Sequence, residues 1–161
     1  MVFINSLSKT ILIIEEETST SLITASIDKS IFEAIAGSNK IVSFVLQDGT
    51  VWTFRGRDIV PENIDSIKLY ISNVPSEEAR NEVEKLTDDG IFLNFAHHGV
   101  LPGKASIKIK VDKNNELLGK IFTLYYYNSE TKKVEKISNN RLVDINGYIT
   151  IEIDHCSDYF L

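Results

Sequence analysis

Ala105-Ser106-Ile107-Lys108-Ile109-Lys110-Val111 is the stretch whose reading decides the fold. Apolar side chains hold every second position and polar ones fill the gaps, the period of a strand with one face buried and one wet. The same period returns where Ile149, Ile151 and Ile153 alternate with Tyr148, Thr150 and Glu152, and again at Ile67, Leu69 and Ile71. Outward from these, less regular apolar runs cover residues 10–14, 22–27, 41–46, 51–54, 91–95 and 121–127. The last two carry apolar or aromatic residues on both parities, which places them centrally in a sandwich. Trp52 and Phe54 share one parity and are expected to face the core.

Turn chemistry supports the same reading. Asp48-Gly49 and Asn146-Gly147 tolerate the positive φ angles of tight reversals, so each is expected to close an antiparallel hairpin. A third hairpin joins residues 121–127 to 133–137 through Asn128-Ser129-Glu130-Thr131. Two segments break the period. In residues 28–36, Ile31, Phe32 and Ile35 share a helical face, Ser30 and Glu33 have capping-box spacing, and Gly37 supplies the stop. Residues 76–86 follow Pro75 and place Ala79, Val83 and Leu86 on one stripe. The expectation is a mainly β chain, an antiparallel β-sandwich with one or two short helices. Residues 1–161 then form a single domain, with a possible subdivision at the helical connection near 75–90.

Composition narrows the function classes. A chain of 161 residues buries roughly two-thirds of its unfolded surface and needs no metal or disulfide to fold. Its single cysteine, Cys156, permits no intramolecular disulfide. The net charge of −6 and the scattered Lys and Arg argue against binding to nucleic acid or to anionic lipid. No apolar run approaches the roughly 20 residues of a membrane span. The opening Met1-Val2-Phe3-Ile4-Asn5-Ser6-Leu7 has no basic region followed by a long apolar one. The chain therefore reads either as cytosolic or as a piece of a longer exported protein.

Four stretches carry a family resemblance: Phe95-Ala96-His97-His98-Gly99-Val100-Leu101-Pro102-Gly103-Lys104-Ala105, the run from Leu124-Tyr125-Tyr126-Tyr127-Asn128 to Val134-Glu135, Asp144-Ile145-Asn146-Gly147-Tyr148, and the closing Asp154-His155-Cys156-Ser157-Asp158-Tyr159-Phe160-Leu161. Together they resemble a β-rich, immunoglobulin-like sandwich module of Gram-positive bacterial cell-surface and cell-wall proteins, which closes on a strand of the form His-x-Ser-x-Tyr. The small helix followed by Phe44-Val45-Leu46 and Val51-Trp52-Thr53-Phe54-Arg55-Gly56 is similar to the segment that precedes such modules. The resemblance implies a non-enzymatic structural or adhesion-type module at the cell surface. Its implied partners are neighbouring domains, another protein or a glycan.

Reactive residue types are present without a catalytic pattern. Neighbours in a strand point to opposite faces, so His97 and His98 do not converge on one metal, and His155 does not serve Cys156 as a base. Cys156 reads as a buried small hydrophobe. Glu15-Glu16-Glu17 and Asp88-Asp89 read as solvated charge, and Asp112-Lys113-Asn114-Asn115-Glu116 lacks the Gly and second acidic anchor of a calcium loop. No catalytic, metal or cofactor residue is assigned. Tyr125-Tyr126-Tyr127 must place a ring on each face of its strand, and packing is the plain account of them. The alternative is a carbohydrate-binding surface, with Tyr126 and Tyr70 as the candidate ligand contacts.

Overall fold

The alternating stretch becomes the C-terminal half of the longest strand, with Ala105, Ile107 and Ile109 buried and Lys110 exposed. The protein is seen in a computed structural model that describes Val2–Phe3, Lys9–Ile13 and residues 25–161. The Glu15–Glu17 run and residues 22–24 of one expected strand lie outside the described residues. In chain order the strands are β1 (Val2–Phe3), β2 (Lys9–Ile13), β3 (Ser26–Ile27), β4 (Ile41–Val45), β5 (Val51–Ile59), β6 (Ile67–Lys68) and β7 (Ile71–Ser72). They continue with β8 (Phe92–Lys110), β9 (Ile121–Asn128), β10 (Lys133–Leu142) and β11 (Tyr148–Phe160). Two helices interrupt them, α1 (Lys29–Ile35) and α2 (Glu77–Glu84).

Among the described residues the fold is mainly β and sandwich-like, with two short α-helices. Among the described residues, one sheet has the order β1-β2-β4-β5-β8-β11-β9-β10, with β7 also paired to β8. A second sheet holds β3 and β6. The pairs are antiparallel except β2–β4, which runs parallel because α1 and β3 lie in the crossover between those strands. The Asp48-Gly49 turn closes the β4–β5 hairpin, and Asn128–Thr131 closes β9–β10. In β5, Trp52 and Phe54 point inward as their shared parity requires. Their rings continue a packed row from Phe32 of α1 through Phe54, Trp52 and Phe95 to Tyr159, with centroids 5.0–6.3 Å apart. Full burial of each such ring contributes about 1.5–3 kcal/mol. One hydrophobic cluster draws on residues both before and after α2.

Four local expectations are corrected. Asp28, not Ser30, caps α1: its carboxylate accepts the N–H of Ser30, which already lies inside the helix. Leu86 is exposed because α2 stops at Glu84, so the stripe ends with Ala79 and Val83. The run Ile67, Leu69, Ile71 divides between β6 and β7, which belong to different sheets. Asn146-Gly147 does make its reversal, with Asp144 N–H donating to Tyr148 O at 2.8 Å, but the flanking strands part company. β10 stays with β9, while β11 pairs with β8, setting Ile149, Ile151 and Ile153 opposite Ile109, Ile107 and Ala105. That register buries both apolar faces at once.

Gly56 marks a close backbone approach. Its N–H donates to Lys40 O at 2.8 Å and its carbonyl accepts from Gly37 N–H at 2.9 Å. A Cβ there would press on Ile35 O and Ser38. No helix among the described residues is long and apolar enough to cross a membrane.

Candidate functional site

β8 and β11 run side by side for most of their length, yet β8 spends more residues on the distance. Ile153 faces Ala105 while His155 faces Val100, and Cys156 faces Gly99 while Asp158 faces Asn94. Each jump leaves extra β8 residues without a partner in β11, a device that bends a strand and re-aims its side chains. The second bulge carries His97 and His98, with Gly99 at φ +100°. Beside it opens a cleft of about 730 Å³. Its floor is His155–Asp158 of β11 with Tyr126 and Tyr127, one wall is Ser76–Glu78 at the start of α2, and the other is the Asn128–Glu130 turn.

Most of the chemistry in this cleft is already engaged. Asp158 accepts from Ser76 Oγ and from Asn94 Nδ2, and Ser76 Oγ in turn accepts Ala79 N–H as the cap of α2. These bonds dock α2 on the last strand. Glu78 accepts from Lys132 Nζ at 2.6 Å and Tyr127 Oη at 3.3 Å, and the Lys132 ammonium holds its carboxyl below the usual range. Tyr126 Oη donates to Glu135 at 3.0 Å and accepts from Asn128 Nδ2 at 3.1 Å, while burial, then Glu135, raises its phenol. Cys156 is buried and its thiol is pushed up to about 12 by desolvation, which favours the neutral thiol over the nucleophilic thiolate.

The closing His-x-Ser-x-Tyr pattern acquires a structural meaning here. Tyr159 Oη donates to the carbonyl of His155 at 2.8 Å, and Ser157 Oγ donates to Tyr127 O at 3.1 Å. The first bond spans the stretch of β11 that faces the second β8 bulge, and the second ties β11 to β9. His155 lies edge-on to Tyr126, with ring centroids 5.1 Å apart, and its Nδ1 is 3.0 Å from Asp154. Set beside family models, curated proteins and solved structures, the chain matches none.

The cleft brings His98, His155, Cys156 and Tyr126 together, and Tyr70 stands elsewhere. Tyr70 lines a separate cavity of about 380 Å³ with Asp48 and Ile71, so the two tyrosines do not form one platform. Tyr125 is stacked on Phe160 at 5.2 Å and Tyr127 is buried. His97 reaches back to Val100 O at 3.4 Å, away from any shared centre with His98. Among the described residues, no three His, Cys, Asp or Glu side chains are grouped as metal ligands. The segment from Asp112 is a turn wound on its own carboxylate, which accepts the N–H groups of Asn114, Glu116 and Leu117. Burial raises that carboxyl, and the converging N–H groups outweigh it and hold it below the usual range. Sequence reasoning missed the Ser76–Asp158 and Glu78–Lys132 contacts. They join residues 82 and 54 positions apart, and no local spacing announces them.

Proposed function

We propose that this protein is a non-catalytic interaction module, of the type carried by Gram-positive bacterial cell-surface and cell-wall proteins, and that it takes its partner in the cleft between α2, the β8 bulge and the β9–β10 turn. The observation that carries this reading is how the cleft's side chains are spent. The thiol is buried and protonated, and Asp158 and Glu78 hold structural hydrogen bonds. The outward set of Glu77, His98, Ser129 and Glu130 offers a partner hydrogen-bond donors and acceptors without pairing a nucleophile to a base. The likeness of the closing strand to such modules supports a place outside the cell, with a neighbouring domain, another protein or a glycan as partner.

A glycan is the second reading. It is favoured by Tyr126 lying in the cleft beside Asn128 and Glu130, an aromatic ring next to planar polar groups. The test is a pull-down and calorimetric titration against Gram-positive wall extract, with its protein and polysaccharide fractions kept separate. Ser129→Trp serves as a cleft-blocking variant at an exposed turn. Binding of one fraction that the variant loses at least about tenfold supports the cleft, and the fraction names the partner class. Binding that ignores the tryptophan, or turnover of a wall component, overturns the proposal.

A further inference from the structure

Basic residues are scattered along the chain, yet β5 and the turn between α1 and β4 bring three of them to one pocket. Its volume is about 430 Å³, and Ser38, Asn39, Lys40, Ile41, Arg55 and Arg57 line it. The antiparallel register sets Ile41 opposite Arg55, and Gly56 N–H, donating to Lys40 O at 2.8 Å, carries the pairing one residue further. Arg55 and Arg57 flank Gly56, so strand alternation puts both guanidinium groups on one face, with their backbones roughly 7 Å apart. The turn is fixed as well: Ser38 Oγ donates to Ile35 O at 2.6 Å and accepts Lys40 N–H at 3.2 Å.

Charge at this pocket is not balanced locally. Lys40, Arg55 and Arg57 are all exposed. Among the described residues, Arg57 has Asp58 at 3.8 Å, beyond hydrogen-bond reach, and Lys40 and Arg55 pair with no carboxylate. On the next strand Lys104 faces Glu152 at 3.9 Å, and the two cancel. Glu33 of α1 is exposed and lies outside the pocket lining. Three cations therefore stand beside one carboxylate, and on the far side of Ile41 the parallel register places a further basic residue, Lys9. Like charges two positions apart on one face repel, a cost that an anion between them relieves.

The arrangement of donors distinguishes among anions. A single guanidinium fork satisfies a carboxylate. A second fork on the same face, with an ammonium on the adjoining turn, matches a tetrahedral dianion whose oxygens point in several directions. A polyanion is the poorer occupant, because the cations do not continue as a stripe: further along the sheet, Lys108 pairs with Asp144 and Lys110 donates to Asn146 O. We propose that this pocket binds a single phosphoryl group, as inorganic phosphate or at the end of a phosphorylated molecule, with Arg55 and Arg57 as fork donors and Lys40 as the third cation. This inference is independent of the cleft.

The experiment is calorimetric titration of the whole chain with inorganic phosphate, phenyl phosphate and acetate at low salt and about pH 8, where the phosphoryl group is dianionic. The expected result is one saturable phosphate site, with acetate weaker by at least about tenfold. Tighter binding of phenyl phosphate identifies the group as the end of a larger molecule, and equal or weaker binding identifies inorganic phosphate. Arg55→Gln with Arg57→Gln weakens binding at least about tenfold, while Lys113→Gln with Lys120→Gln, which removes the same charge elsewhere, leaves it unchanged. All four positions are exposed, and unchanged urea midpoints separate the readout from folding. Lys40→Gln, which alters the turn and not the strand, gives a second reading through a several-fold loss if the arginine pair lowers stability. No saturable phosphate binding, acetate bound as tightly as phosphate, or equal affinities in the two double variants overturns the proposal.

Discussion

Cys156 shows how a residue's meaning depends on its surroundings. Between two histidines in the fold, one its neighbour and one across the strand pair, it has the composition of a nucleophilic site and none of the electrostatics. Desolvation favours the neutral thiol, and no cation offsets it, so its value is pushed up to about 12. At pH 8 the native protein should react with iodoacetamide at least about 100-fold more slowly than the urea-unfolded chain. Equal labelling rates in the two states would mean that the thiol is open to the cleft. Trp52 offers a related lesson. Its Nε1–H is buried and, among the described residues, unpartnered, so packing against Phe54 and Phe95 carries the whole of its role.

At the scale of the element, the joint between α1 and β5 is built on the absence of a side chain. Gly56 exchanges backbone hydrogen bonds with Gly37 and Lys40, the residues that turn the chain out of α1 and into β4. Its φ is not in the left-handed region, so the requirement is space alone. Gly56→Ala should therefore lower stability by about 1–3 kcal/mol, the cost of overpacking a filled site. Urea unfolding checks it, and an unchanged midpoint would show that the joint gives way freely. The α1 expectation was legible in Phe32 and Ile35 because a short amphipathic helix announces its own face. The cap was misassigned because Ser30 and Asp28 are both good caps, and which one stands outside the helix depends on where the backbone turns.

At the scale of the whole molecule, several carboxylates hold folded values below their ordinary ones. Asp112 and Asp144 do so through backbone N–H groups, Asp28 through Ser30 and Glu78 through Lys132. A folded value below the unfolded one contributes stability above the unfolded value, and that contribution is lost as pH falls through the folded value. The ordinary values are 3.8 for Asp and 4.5 for Glu. The contribution of these four groups should stay level between pH 7 and about 5.5 and fall steeply below about pH 4. Asp112→Asn should lower the Tm by about 5 °C at pH 7 and flatten the acid limb. A variant that melts with the wild type at pH 7 would show that the turn does not need its carboxylate.

Local pattern determined what local physics can. Alternation at 105–111 and 149–153 set the strands, Asp48-Gly49 set a hairpin, and the parity of Trp52 and Phe54 set the inward face, because each depends on neighbours within a few residues. Partner choice lay beyond that reach. Nothing around Asn146-Gly147 says that β11 will leave β10 for β8, since the decision rests on burying Ile149, Ile151 and Ile153 against a strand nearly 40 residues earlier. The cleft was decided in the same way. It is assembled by hydrogen bonds between distant segments, and side chains that lie far apart along the chain become one surface only when the backbone has folded.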